Sequence, residues 1–331
     1  MTNLLERFTD HLETSRLLEG ADRVVVACSG GGDSAALLVL LHSYSKRASS
    51  ALQASFDLVS CHVAHGLRGK AGEGDARFVE DLSGSLKVPF DLRRVDVPAH
   101  RRKGESLEAA GRRLRYESLL SQAAKCGAGT LVATGHTLDD QAETVLLNLH
   151  RHAGRTRGGI RERREDGVVR PLLAFPRAEL RAFLTARGVP WREDETNVDE
   201  RLLRNRIRRQ ELPALEASSP GTAERLARAG AAWSRRLEAL DRRIDAVLAG
   251  AAAPLEGPWP RVLVSALGPE GVSRLLVRAA GSRGAVPGRA QLTRAIGRLL
   301  RGEAHLAESL AGLRLSADAR VVRLARRPGR A

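Results

Sequence analysis

The chain has 331 residues, 43% of them hydrophobic, which fits two or three domains with packed cores. Its 54 Lys and Arg exceed 39 Asp and Glu by a formal net charge of +15, so a polyanionic partner is expected, held through phosphate and shape because only 3% of residues are aromatic. No run of about 18 apolar residues offers a membrane span, and Cys28, Cys61 and Cys126 form no CxxC pair, which argues against a disulfide framework, a zinc ribbon or an iron–sulfur site.

The first twelve residues carry Glu6 and Asp10 and lack an apolar h-region, so a cytoplasmic location without a secretory signal is expected. Residues 23–28 form a β-branched run that predicts a buried strand, and the Leu-rich stretch 35–45 predicts a helix. Strands are expected at 57–63, 88–95 and 130–134, alternating with helices at 74–86, 106–125 and about 139–149. Strands separated by helices make a parallel sheet, whose ligands gather at the carboxyl ends of the strands. Residues 152–168 read as a basic loop, and a further helix starts at Pro176. Pro213 and Ser218-Ser219-Pro220-Gly221 mark a boundary, followed by a charged helix at 222–248 and an Ala-, Gly- and Pro-rich stretch at 250–260. The remainder reads as a small α+β unit, with helices near 269–280 and 289–301 and strands at 313–315 and 321–324.

Three groups of polar residues fall at the predicted carboxyl edge. Ser29-Gly30-Gly31-Gly32-Asp33-Ser34 joins the first strand to the first long helix. Its glycines let backbone amides wrap an anion at a positive helix end. It lacks the Gly-Lys-Ser/Thr of a Walker A loop and the spacing of a dinucleotide fingerprint. A carboxylate at Asp33 would repel phosphate unless a divalent cation bridged them, so ATP with Mg²⁺ is expected; Asp33-Ser34 would equally serve as a helix cap. In the second group, His136 opens a polar cluster in which Asp140 and Glu143, at i and i+3, share a helix face. They can hold Mg²⁺ or an ammonium group, or only favour the helix dipole. The third group, His65-Gly66-Leu67-Arg68, follows the second strand.

The Gly-rich hexapeptide resembles the phosphate loop of the N-type ATP pyrophosphatases, the PP-loop superfamily. Together with His62-Val63-Ala64-His65-Gly66-Leu67-Arg68, residues 112–116, 139–144, 170–173, 194–197 and 204–208, it resembles the tRNA(Ile)-lysidine synthetase family from about residue 22 to 213. That resemblance implies a Rossmann-like catalytic domain over 1–217, a helical linker over 218–260 and a small tRNA-binding α+β domain over 261–331. It further implies an enzyme that uses ATP to adenylate the wobble cytidine of a CAU-anticodon tRNA(Ile) and then joins free L-lysine to C2, releasing AMP and pyrophosphate. By the same resemblance Ser29 to Ser34, His65 and His136 bind ATP. Asp33, and in one arrangement Asp140, holds Mg²⁺. Asp140, Glu143 and Arg113 serve lysine, while Arg204, Asn205, Arg206 and Arg208 serve tRNA. Thr137 departs from a more common second histidine, and Arg151-His152-Ala153-Gly154 departs from a more usual Arg-Gly-Ser/Thr-Gly. Two alternatives stand beside this reading: a tRNA 2-thiolation enzyme with the same loop, and a non-catalytic RNA-binding relative.

Overall fold

A computed structural model describes residues 3–50, 56–66, 70–151, 158–192, 203–303 and 305–326. Leu67, Arg68, residues 194–197 and residues 152–154 lie outside the described residues. The chain divides into two compact units, Met1–Glu143 with Arg161–Ala227, and Thr144–Ile160 with Arg228–Ala331.

The first unit is built on five parallel strands: β1 (Arg23–Ala27), β2 (Asp57–Ala64), β3 (Phe90–Arg94), β4 (Thr130–Thr134) and β5 (Val168–Val169). Their order is β3-β2-β1-β4-β5. Helices α1 (Leu4–Ser15), α2 (Gly32–Ser50), α3 (Lys70–Ser85), α4 (Leu107–Cys126), α5 (Leu138–His150) and α6 (Arg177–Ala186) alternate with them. The centre of β1 is apolar because both faces are covered: Val24 and Val26 pack with α2, while Val25 packs with Tyr116 and Leu119 of α4. α2 is buried all round from Ser34 to Leu41, since α1 and α6 lie against it as well as the sheet.

Ala27 pairs with Cys61 of β2 and with Thr134 of β4, so β1 and β4 end level while β2 runs on to Ala64. The chain turns to β2 on one side of β1 and to β4 on the other, so the β1–β4 gap is the switch point of the sheet. The turns after β1 and β4 therefore open beside each other, and those turns hold the Gly-rich hexapeptide and His136.

The sequence did not reveal α1, although Asn3 and Glu6 close a capping box on it. It also missed the two-residue β5 and the helical run after residue 202. That run begins as Leu203–Arg206, passes through a π-helical turn at Ile207–Glu211 and continues as Leu212–Ser218. Pro213 directly follows the π-helical turn, in the first turn of the last piece, and does not end the run.

The second unit contains an antiparallel sheet of β6 (Trp259–Pro260), β7 (Leu306–Leu310), β8 (Leu313–Ala317) and β9 (Val321–Arg326), in the order β6-β9-β8-β7. Trp259, Leu275, Leu315 and Val322 are fully buried in its core, with Ile244 and Leu248 of the helix Thr222–Gly250. β7 escaped notice because its central Ala307-Glu308-Ser309 are poor strand formers. Among the described residues no helix is long and apolar enough to cross a membrane.

The two turns at the switch point touch through backbone. A Cβ added at Gly135 would lie 3.1 Å from the Ser34 nitrogen and 3.2 Å from the Asp33 carbonyl carbon. Neither neighbour is a side-chain end that can swing aside, so Gly135→Ala must part the turns. The expected result is ATP affinity lowered by about tenfold or more in calorimetric titration, with the fold retained. An unchanged affinity would mean that the turns need not touch.

Candidate active site

Ser34 organises the Gly-rich turn. Its hydroxyl accepts the Ser29 N–H at 3.1 Å and donates to the Gly31 carbonyl at 2.9 Å. Gly30 stands at φ +91°, a conformation that glycine adopts freely. Its carbonyl accepts the Arg192 N–H at 3.0 Å, and a Cβ at Gly32 would touch the Trp191 ring at 3.4 Å. The turn is thus held in shape at the start of α2, whose first N–H groups have no partner within the helix.

The turn after β4 makes a second helix start. The Thr137 N–H and hydroxyl meet Asp140 Oδ2 at 2.9 and 3.1 Å, and the Asp140 N–H points back to Thr137 Oγ1 at 3.4 Å. Thr137, the departure from a common histidine, therefore caps α5 reciprocally with Asp140. Asp139 accepts the Arg177 N–H at 2.8 Å and so ties the start of α6 to the start of α5.

Three carboxylates and three guanidinium groups meet here. Arg177 bridges the two turns, with Nε 3.0 Å from Asp33 Oδ2 and Nη2 3.2 Å from Asp140 Oδ1. Arg208 grips Glu143 with two bonds, Nε to Oε1 at 2.6 Å and Nη2 to Oε2 at 2.9 Å, and reaches Asp140 Oδ1 at 2.8 Å. Arg204 lies 3.5 Å from Glu143 Oε2. The Glu143 side chain is only 1% exposed, a burial that an unpaired carboxylate would not tolerate. Burial pushes the Asp33 carboxyl above its usual range, with Asp140 adding to the rise against the pull of Arg177. Burial acts in the same sense on Asp140, but Arg177, His136, Arg208 and the Thr137 N–H outweigh it and hold that carboxyl low.

The structure thus brings Asp33, Asp140 and Glu143 together with the Gly-rich turn, and turns Arg204 and Arg208 onto them. Arg206 is exposed and Asn205 half-buried. His65 follows β2 on the same edge of the sheet. His136 hydrogen-bonds through Nδ1 to Thr134 Oγ1 at 3.0 Å. Arg113 is not brought to the carboxylates. It holds Glu105 with two bonds, at 3.0 and 2.8 Å, and the His100 carbonyl at 2.9 Å, so it braces the loop before α4. That grip lowers the Glu105 carboxyl to about 2. Helical spacing decides the difference: Arg112 and Arg115, one residue before and two after, pack on Tyr116. Arg177 and Asp139 carried no role in the sequence reading. The local signals were their place at two helix starts and, for Asp139, its place in the resembling segment 139–144.

Among the described residues no three His, Cys, Asp or Glu side chains stand ready as a metal cage. Asp33 and Asp140 nonetheless fit Mg²⁺, which takes one or two carboxylates and completes its shell with water and phosphate oxygens. Their shared seat already carries a cationic group, the guanidinium of Arg177.

A family profile described as a PP-loop domain matches residues 2–215. A tRNA(Ile)-lysidine synthase of Geobacter sulfurreducens is 46% identical over 212 residues, covering 62% of this chain and 43% of that protein. One from Thermus thermophilus is 44% identical over 228 residues, 69% of this chain and 42% of that protein. The chain thus matches less than half the length of these curated relatives. Among solved structures, the U34-tRNA thiolase NcsA from Methanococcus maripaludis, with its 4Fe-4S cluster, superposes with a TM-score of 0.56 at 17% identity, covering 70% of this chain and 78% of that one. At that identity the likeness is one of fold.

The site carries a pH signature. Burial pushes the His136 imidazole down to about 3 from 6.5, with Arg170, Arg112 and Arg115 acting in the same sense and Asp140 against them. Below about pH 6.5 the unfolded chain takes up a proton that folded His136 refuses, so its contribution to stability falls as pH falls toward about 3. Between about pH 7.5 and about pH 5.5 this component amounts to about 1 kcal/mol. His136→Gln is expected to remove it, read as a smaller drop in the urea midpoint across that interval. Equal drops in the two proteins would mean that His136 titrates alike folded and unfolded.

Proposed function

The chain belongs to the PP-loop domain family, and on that footing we propose that it is an ATP-dependent ligase that converts the wobble cytidine of CAU-anticodon tRNA(Ile) to lysidine. The observation that carries this reading is the meeting of Asp33 from one turn with Asp140 and Glu143 from the other, at the switch point of the sheet. A phosphate cradle and a pocket of negative charge then stand side by side in a basic protein. That pairing suits a reaction between a nucleotide triphosphate and a cationic amine.

In the first step the cytidine C2 oxygen attacks the α-phosphorus of ATP and pyrophosphate leaves. The backbone of residues 29–34 and the positive end of α2 hold the phosphates. Asp33 and Asp140 would hold Mg²⁺, which neutralises phosphate charge when bound. In the second step the lysine ammonium gives up a proton to water, the neutral amine attacks C2, the C2–O bond breaks, AMP leaves with the oxygen, and the further N–H proton of the new C–N bond passes to the departing phosphate or water. Activation splits one hard displacement into two easier ones. Glu143 and Asp140 attract the ammonium group and orient it. His136 is neutral at physiological pH and too weak a base to take the amine proton, so it serves as a hydrogen-bonding group. His65, on the same edge, is assigned to the nucleotide. The exposed Arg206 and half-buried Asn205, with Arg204 and Arg208 once released from the carboxylates, are assigned to tRNA. The small C-terminal unit is assigned to tRNA as well. The relatives' name, the family match and the edge geometry support this reading together.

The fold likeness to a tRNA thiolase raises sulfur transfer as a second reading. The thiols argue against it. Burial raises Cys28, and it pushes Cys61 up to about 12 with Asp91 adding to the rise. Both are held as thiols, whereas sulfur carriers and cluster ligands work as thiolates.

Incubation with ATP, radiolabelled lysine and CAU-anticodon tRNA(Ile) is expected to place label in the tRNA. No label, alongside active ATP–pyrophosphate exchange on another acceptor, would sink the assignment. Asp33→Asn is expected to abolish that exchange, and full exchange would take Asp33 out of the mechanism. Glu143→Gln is expected to raise the lysine KM by about tenfold or more while changing the ATP KM little. An unmoved lysine KM would remove Glu143 from amine recognition.

A further inference from the structure

Tyr116, buried on α4, is ringed by arginines. The guanidinium of Arg164 lies 4.8 Å from its ring centroid, that of Arg112 at 5.2 Å and that of Arg115 at 5.9 Å. Arg170, the residue after β5, donates to the phenol oxygen at 3.5 Å. Three guanidinium groups around one ring, with a fourth on its hydroxyl, exceed what a single cation–π contact requires. Elsewhere in this unit arginines close together find carboxylates, as Arg113, Arg177 and Arg208 do. Here only Arg164 has one, Asp166. Among the described residues no carboxylate pairs with Arg112, Arg115 or Arg170.

Arg170 is 4% exposed, and its Nε is buried without a hydrogen-bond partner. A buried guanidinium N–H left unpaired is costly, and it marks a place where an acceptor is missing. The cluster also acts on its surroundings. Burial alone would raise the Tyr116 phenol, but Arg170, Arg112 and Arg115 hold it below its usual range. The same three arginines depress His136 at the end of β4, so the cluster adjoins the proposed active site.

We infer that Arg112, Arg115, Arg170 and Tyr116 form a phosphate seat at the carboxyl edge of β4 and β5, separate from the Gly-rich turn. Three uncompensated cations suit a ligand with several anionic oxygens, and the planar guanidinium fork matches phosphate. Two sources present that chemistry here: a phosphodiester of the RNA strand and the pyrophosphate released from ATP. The inference rests on the ATP and RNA parts of the proposed function, but not on its lysine step.

The test uses the full chain and binding alone. Affinity is measured for a CAU-anticodon stem-loop RNA without ATP across a range of salt, and separately for inorganic pyrophosphate by calorimetry. The variants are Arg112→Gln with Arg115→Gln, and Arg170→Lys, which keeps the buried charge if glutamine there prevents folding. Thermal unfolding checks that each variant is folded. A phosphodiester in the seat predicts RNA affinity lowered by about tenfold or more in the double variant, and a salt dependence reduced by about one to two in log–log slope. Pyrophosphate in the seat predicts the loss in the pyrophosphate arm alone. Arg170→Lys is expected to weaken the same ligand by a smaller factor, because an ammonium cannot reproduce the fork. Less than a twofold change in both arms for folded variants would overturn the seat, as would wild-type protein that binds neither probe. If lysine is never joined to RNA yet either arm moves as described, the seat stands and the ligase reading falls.

Discussion

Three carboxylates cannot share one edge of a sheet, largely out of water, without positive charge among them. Asp33, Asp140 and Glu143 meet this constraint through Arg177, Arg204 and Arg208. Much of the first unit follows from it. α6 begins where it does because Asp139 holds the Arg177 backbone and the Arg177 side chain spans the two turns. The helical run after residue 202 presents Arg204 and Arg208 one turn apart on one face, and its π-helical turn starts between them. Irregular helical turns of this kind gather at functional sites because they re-aim side chains. α2, buried on every side, supplies the rigid base from which Asp33 projects.

The parallel sheet was plain in the sequence because burial on both faces writes itself as short β-branched runs, of which Val24-Val25-Val26 is the clearest. The Gly-rich turn and the Asp140–Glu143 pair were legible because unusual backbone and charge requirements restrict residue choice. The arginine partners were not. In a chain where arginine is abundant, no local pattern separates Arg177, which bridges the turns after β1 and β4, from an arginine on a solvated helix face. Arg113 illustrates the same limit. It lies within the motif that carries the family resemblance, yet one step around the helix commits it to Glu105, while Arg112 and Arg115 reach Tyr116. β5 was lost to its brevity, and α1 was missed although its capping box was present.

The net charge of +15 therefore has more than one use. Part of the arginine content is internal mortar. Arg274 grips Asp241 with two bonds of 2.7 Å in the second unit, much as Arg208 grips Glu143 in the first. The uncompensated cations, not the total, indicate where a polyanion belongs, and around Tyr116 they are concentrated at a place with structure rather than spread over a surface.

Asp140 divides its two oxygens between different tasks. Oδ2 closes the helix cap with Thr137, and Oδ1 faces the cations. The ordering entropy of the carboxylate is thus already met by helix initiation, and a ligand arriving at Oδ1 encounters an acceptor aimed in advance. The same economy entangles two properties. Replacing Asp140 removes a recognition group and frays the start of α5 in one stroke. The phenotype of such a variant cannot by itself be read as chemistry, whereas Glu143, which caps nothing, offers the cleaner lever on the proposed amine site.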